Sequence, residues 1–127
     1  MLDWMFDLEE MKRQTSEGTT YEVLTIDGVL CGFTSYAPTS TDGEFKLDKL
    51  YVHERYRGRG LGKRLLNHVI ARVREAGANS LILAVNKKNT DAIAMYKRNG
   101  FCVRESVVND IGRGFVMDDF VMEIELH

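Results

Sequence analysis

The stretch Leu50–Ile70, LYVHERYRGRGLGKRLLNHVI, constrains the fold more than any other. Leu50, Tyr51 and Val52 finish a strand, and Arg55–Arg64 then packs three glycines and five basic residues into ten positions. From Leu61 the apolar residues Leu65, Leu66, Val69, Ile70 and Val73 recur at the helical period, and Gly77 stands where a helix ends on a left-handed residue. The apolar run SLILAV follows. A strand that passes through a helix into a second strand implies a parallel crossover, because parallel strands need a long connection.

The rest of the chain supplies antiparallel partners. TYEVLTIDGVLCGFTSYA reads as a hairpin about Asp27-Gly28, a pair that tolerates positive φ. EFKLDKLYVH is a strand that becomes more apolar along its length. NTDAIAMYKRNG is a second helix, capped by Asn89 or Thr90 and ended by Gly100. FCVRESVV and FVMDDFVMEIEL are two more strands joined by NDIGRG. Leu2–Gln14, with Leu2, Met5, Phe6, Leu8 and Met11 at mixed helical spacing, is expected to be a short amphipathic helix. The fold class is α/β (α+β): a mixed, mostly antiparallel sheet with a parallel strand pair and helices on it.

At 127 residues the chain suits a single domain, 1–127. No apolar run approaches the roughly 20 residues that span a bilayer. The acidic start, with Asp3, Asp7, Glu9 and Glu10, is unlike a signal peptide, so a cytoplasmic protein is expected. Cys31 and Cys102 match no metal spacing and are expected as buried free thiols. His53 and His68 have no clustered ligands, so no metal is assigned. The net charge of −2 and the absence of an aromatic stacking run argue against nucleic acid as a partner. The basic cluster is therefore local.

A glycine-rich turn leading into a helix N-terminus holds anions. The first helix amides lack intrahelical acceptors, the macrodipole adds partial positive charge, and glycines let backbone approach a ligand. A pyrophosphate best uses such a loop. A P-loop is excluded, because Gly62-Lys63 is followed by Arg64 and no hydroxyl. The dinucleotide fingerprint G-x-G-x-x-G is excluded too, because the loop reads G-x-G-x-G and Val85 is followed by Asn86 and two lysines.

Arg57-Gly58-Arg59-Gly60-Leu61-Gly62 has the form R-x-x-G-x-G, with LYV before it and NTDAIAMYKRNGF one strand later. Together these motifs resemble the GNAT superfamily of acyl-CoA-dependent N-acetyltransferases, over roughly Tyr21 to the C-terminus. The resemblance implies the GNAT fold, with helices on both faces of the sheet, and acetyl-CoA as cosubstrate. It places the CoA pyrophosphate on the amides of Arg57, Gly58, Arg59, Gly60, Leu61, Gly62 and Lys63. The backbone of Leu50, Tyr51 and Val52 would pair with the pantetheine, and one of those amides would polarise the acetyl carbonyl. Asn89 would bond the pantetheine arm, and Tyr96 would stand by the sulfur as acid.

The sequence departs from the family in two places. One well-known position of the general base falls on Lys46, which cannot serve as a carboxylate; Asp48, two residues on, is the candidate base or water relay. Asp118 and Asp119 are available to attract a cationic amine. Only Met1–Gln14 precedes the first hairpin, so the family's first strand and first helix are expected to be absent. That shortening is compatible with a homodimer or a partner completing the sheet. The expected activity is acetyl transfer to a primary amine of a small molecule or peptide, by direct attack in a ternary complex. The competing reading is a non-catalytic acyl-CoA-binding module or a subunit of a larger assembly.

Overall fold

A computed structural model describes residues 9–16 and 18–126. Among the described residues seven strands form one sheet: β1 (Glu9–Ser16), β2 (Thr19–Ile26), β3 (Val29–Pro38), β4 (Glu44–Val52), β5 (Ser80–Asn86), β6 (Cys102–Gly112) and β7 (Phe115–Glu125). Their order across the sheet is β1-β2-β3-β4-β5-β7-β6. Every neighbouring pair is antiparallel except β4 and β5, which run parallel from Glu44 opposite Ser80 to Leu47 opposite Leu83. Helix α1 (Leu61–Glu75) makes the crossover between them, and α2 (Thr90–Arg98) joins β5 to β6.

Local chemistry fixes these elements. Asp27 and Gly28, at φ 56° and 77°, give the hairpin turn whose twist matches the flanking strands. Both helices stop in the same way: Ala78 N donates to Val73 O and Gly77 N to Arg74 O, as Phe101 N does to Tyr96 O and Gly100 N to Lys97 O. Asn89 caps α2, its side-chain oxygen accepting from Ala92 N at 3.3 Å.

The six apolar residues of α1 foreseen from their period, Leu61, Leu65, Leu66, Val69, Ile70 and Val73, are all buried. Each stabilises the fold by about 1.5–3 kcal/mol relative to exposure. Leu66, Val69, Ile70 and Val73 share one cluster with Ile93 and Tyr96 of α2 and with Leu81, Leu83 and Val85 of β5. Those β5 residues alternate along the strand and occupy one face. Both helices therefore lie on the same face of the sheet, where helices on both faces were expected.

The front of the chain also differs from expectation. Glu9–Gln14 lies in strand β1, paired residue for residue with β2 from Glu9 opposite Ile26 to Ser16 opposite Thr19, and not in a helix. The expected helix over residues 2–8 lies outside the described residues. A strand thus does precede the first hairpin, correcting the expected absence. No helix separates β1 from β2, since only residues 17 and 18 connect them.

Candidate active site

Beyond Leu47 and Leu83, β4 and β5 no longer pair. Strand β4 stays with β3, where Thr34 faces Leu50, Phe33 faces Tyr51 and Gly32 faces Val52. On its other edge it borders a gap. His53 N donates to Cys31 O at 2.7 Å. In an antiparallel ladder the bonding direction alternates, so Tyr51 also directs its amide at β3. The amides of Leu50 and Val52 consequently point into the gap. Their side chains do the opposite of Tyr51's: Leu50 and Val52 pack beneath α1, while Tyr51 is 41% exposed on the far face.

The loop after β4 begins with a 3-10 turn, Glu54–Tyr56, where His53 Nδ1 accepts from Arg55 N at 3.1 Å. Arg57 then folds back, its Nε donating to Val52 O at 3.1 Å. Gly60, at φ 76°, is the N-cap of α1 and gives no side-chain cap. A residue with a Cβ adopts that conformation only under strain. The first helical bond is Arg64 N to Gly60 O, 3.0 Å, which leaves the amides of Leu61, Gly62 and Lys63 without helical acceptors. No acidic side chain occupies this first turn.

A cleft of about 1040 Å³ opens in front of these amides. It is lined by Val52, Arg57, Gly58, Gly60, Leu61, Gly62, Lys63 and Asn89, eight of the residues expected from the sequence. Asp91, Ala92, Met95 and Arg98 of α2, with Asn99 just after it, complete its wall. They escaped the motif, yet Asp91, Ala92, Arg98 and Asn99 each stand three or four residues from Met95, the spacing of one helix face, and this periodicity could have found them. A Cβ on Gly62 would stand 3.5 Å from Met95 Sδ, so the start of α1 comes into near contact with the middle of α2 there.

Other expected residues lie elsewhere. Arg59 does not line the cleft; its guanidinium lies 5.4 Å from the Tyr56 ring centroid. Tyr96 is 8% exposed, packs against Phe101 at 5.6 Å between ring centroids, and borders the core and not the cleft. Burial pushes its phenol above the ordinary value, so it stays protonated at neutral pH. Asp48 is the extra residue of a bulge: Leu47 faces Tyr36 and Lys49 faces Ser35. Strict alternation therefore does not put it on the same side as Lys46. Asp118 is held by Lys87, with Nζ 2.5 Å from Oδ1. Cys31 is buried, but Cys102 is exposed, because it opposes Glu123 on the outermost strand. Among the described residues no group of three or more His, Cys, Asp or Glu could hold a metal. His68 instead meets Glu22, a carboxylate only 1% exposed, at 2.8 Å.

Residues 2–101 match the model of the Acetyltransferase (GNAT) family. The chain belongs to this family. Among curated GNAT relatives, it is 31% identical over 97 residues to the spermine/spermidine N(1)-acetyltransferase of Bacillus subtilis, covering 75% of this chain and 64% of that one. It is 31% identical over 88 residues to streptothricin acetyltransferase of Streptomyces lavendulae, covering 69% and 47%. The chain thus spans about half to two thirds of the length of these relatives. Its fold superposes on that of yncA from Salmonella typhimurium, solved with its cofactor acetyl-CoA, with a TM-score of 0.74 and 26% identity over 87% of this chain and 66% of that one. The GNAT fold accounts for the parallel pair that parts, the loop at its end and the helix that follows. No helix among the described residues is long and apolar enough to cross a membrane.

Proposed function

We propose that this chain, as a single GNAT domain over residues 1–127, transfers an acetyl group from acetyl-CoA to a primary amine by direct attack in a ternary complex. The observation that carries the reading is the gap between β4 and β5, which opens onto the cleft before the α1 amides. The cradle fits a CoA pyrophosphate: three amides without helical acceptors, a left-handed Gly60 and open space beside Gly58 and Gly60.

Acetyl-CoA supplies an activated thioester. The amides of Gly58, Gly60, Leu61, Gly62 and Lys63 hold its phosphates, and Arg57 adds charge. Asn89 bonds the pantetheine arm. Leu50 and Val52 aim their amides into the gap, where one of them stabilises negative charge developing on the carbonyl oxygen. Tyr51 contributes no amide to that task, since its own is spent on β3. The amine lone pair forms the C–N bond and the C–S bond breaks. The amine proton leaves through water or Asp48, and the departing sulfur takes a proton from the Tyr96 phenol, which burial keeps protonated.

The test follows free thiol and acetylated product with acetyl-CoA and an amine panel. Amine-dependent thiol release supports the reading. CoA binding without thiol release on any amine would instead support a non-catalytic acyl-CoA-binding module.

A further inference from the structure

With acyl-CoA placed in the cleft between α1 and α2, as proposed above, the opposite face of the sheet is the side left open for an acceptor to reach the gap, and the charges on that face are unevenly placed. Lys46 opposes Ile82, which alternates with the buried Leu81 and Leu83, so Lys46 stands on the far face. Lys49 opposes Ser35, beside the pair of Phe33 and the exposed Tyr51 on that face. Both lysines are exposed, and neither has an ion-pair partner among the described residues. Thr34 Oγ1 donates to Lys49 O at 2.7 Å, which fixes the backbone under the second lysine. Asp48, between them in sequence, offsets one of the two charges.

The opposite rim carries the opposite sign. Asp119 of β7 faces Asn86, three residues past the last β4–β5 pair, and so lies on the same far face. It is partly exposed and has no ion-pair partner among the described residues, whereas Asp118 is spent on Lys87. A carboxylate thus stands on the β7 side of the gap, and on the β4 side Lys49 borders it while Lys46 stands just before it, where β4 and β5 still pair.

We infer that the acceptor is a zwitterionic amine of amino-acid type, with its carboxylate toward Lys46 and Lys49 and its amino group at the gap on the Asp119 side. This rests on the acetyl-transfer reading above. A polyamine is matched by Asp119 but meets a β4 rim of net positive charge, a repulsion that falls with distance and with salt. Lys49 borders the gap and is the specificity-determining residue; it acts on binding and not on the bond-making step.

The test measures kcat and KM by thiol release at saturating acetyl-CoA, for the common L-amino acids, their carboxamides and spermidine. At least one free amino acid should exceed its carboxamide about tenfold or more in kcat/KM. Lys49→Glu should raise that amino acid's KM by about tenfold with kcat within about threefold, lower the KM for spermidine, and leave acetyl-CoA affinity unchanged. Carboxamides used as well as the free acids, or a preference for spermidine that Lys49→Glu does not alter, would overturn the inference while leaving acetyl transfer standing. No thiol release with any of these amines, although acetyl-CoA binds, overturns the acetyl-transfer reading and this inference with it.

Discussion

Leu47 of β4 and Leu83 of β5 form the last pair of the parallel ladder, and the site begins where that pair ends. Both side chains are buried in the core under α1 and α2, so the point of divergence is anchored by packing. Past it, strands that would bond each other in an ordinary sheet present free edges. The amides of Leu50 and Val52 are left to a ligand.

Gly60 makes the first prediction. Its φ of 76° is strained for any side chain, although the space around a Cβ there is empty. Gly60→Val should destabilise the chain by about 1–2 kcal/mol. It should also weaken CoA binding at least tenfold, because the amides of Leu61 and Gly62 are re-aimed. Isothermal titration of CoA against both proteins, with a urea midpoint for each, measures the two effects; unaltered affinity would remove the pyrophosphate from this loop.

Tyr96→Phe separates packing from chemistry. The ring contact with Phe101 survives the change, so the urea midpoint should move little. If the phenol protonates the departing sulfur, kcat should fall by about 10²-fold or more with the acetyl-CoA affinity retained. An unchanged kcat would return Tyr96 to the core alone.

Glu22 and His68 clamp β2 to α1. Arg72 Nε stands 3.7 Å from the same buried carboxylate. Removing His68 leaves Glu22 short of its nearest partner, and breaking a buried pair is costly. His68→Ala should lower stability by about 1–2 kcal/mol in a chemical denaturation curve, because Glu22 keeps only Arg72 beside it. His68→Ala combined with Glu22→Gln should recover part of that loss, because no buried charge is then left to Arg72 alone.

Acid should weaken the fold through Glu44. Its carboxylate accepts from Arg104 Nη1 at 2.8 Å and from the Thr39 hydroxyl at 2.8 Å, and these hold it below its ordinary value of 4.5. A group lowered in the folded state stabilises above its unfolded value and loses that contribution as pH falls through the folded one. Denaturation midpoints should therefore decline below pH 4.5, and Arg104→Gln should flatten that decline by bringing the folded value closer to the unfolded one.

The sequence was legible where local rules act alone. The Asp27-Gly28 turn, the apolar stripe of α1, the caps of both helices and the glycine loop are each set by residues within a few positions of one another. Pairing and burial between distant segments were not legible. Glu9–Gln14 has mixed apolar spacing, and only the ladder with β2 makes it a strand. Asp48 looks like an alternating strand residue until the β3 register shows the bulge. Glu22 shares its face of β2 with Leu24 and Ile26, but that His68 of α1 comes to meet it depends on packing between segments far apart in the chain. Cys102 sits in an apolar run, yet its strand is the outermost one and the side chain faces away from the core.

In the proposed function, the α1 amides and the β4 amides facing the gap together hold an acyl-CoA. Amide proton–nitrogen spectra of the labelled protein, titrated with CoA and then with acetyl-CoA, test this most directly. CoA should shift Gly58, Gly60, Leu61, Gly62 and Lys63 together with Leu50 and Val52. Exchanging CoA for acetyl-CoA should add changes at Leu50 or Val52 larger than those at Tyr51, whose amide is held by β3. Shifts that leave the loop glycines unmoved, or that fall equally on all three β4 amides, would remove the acyl-CoA from this loop and gap.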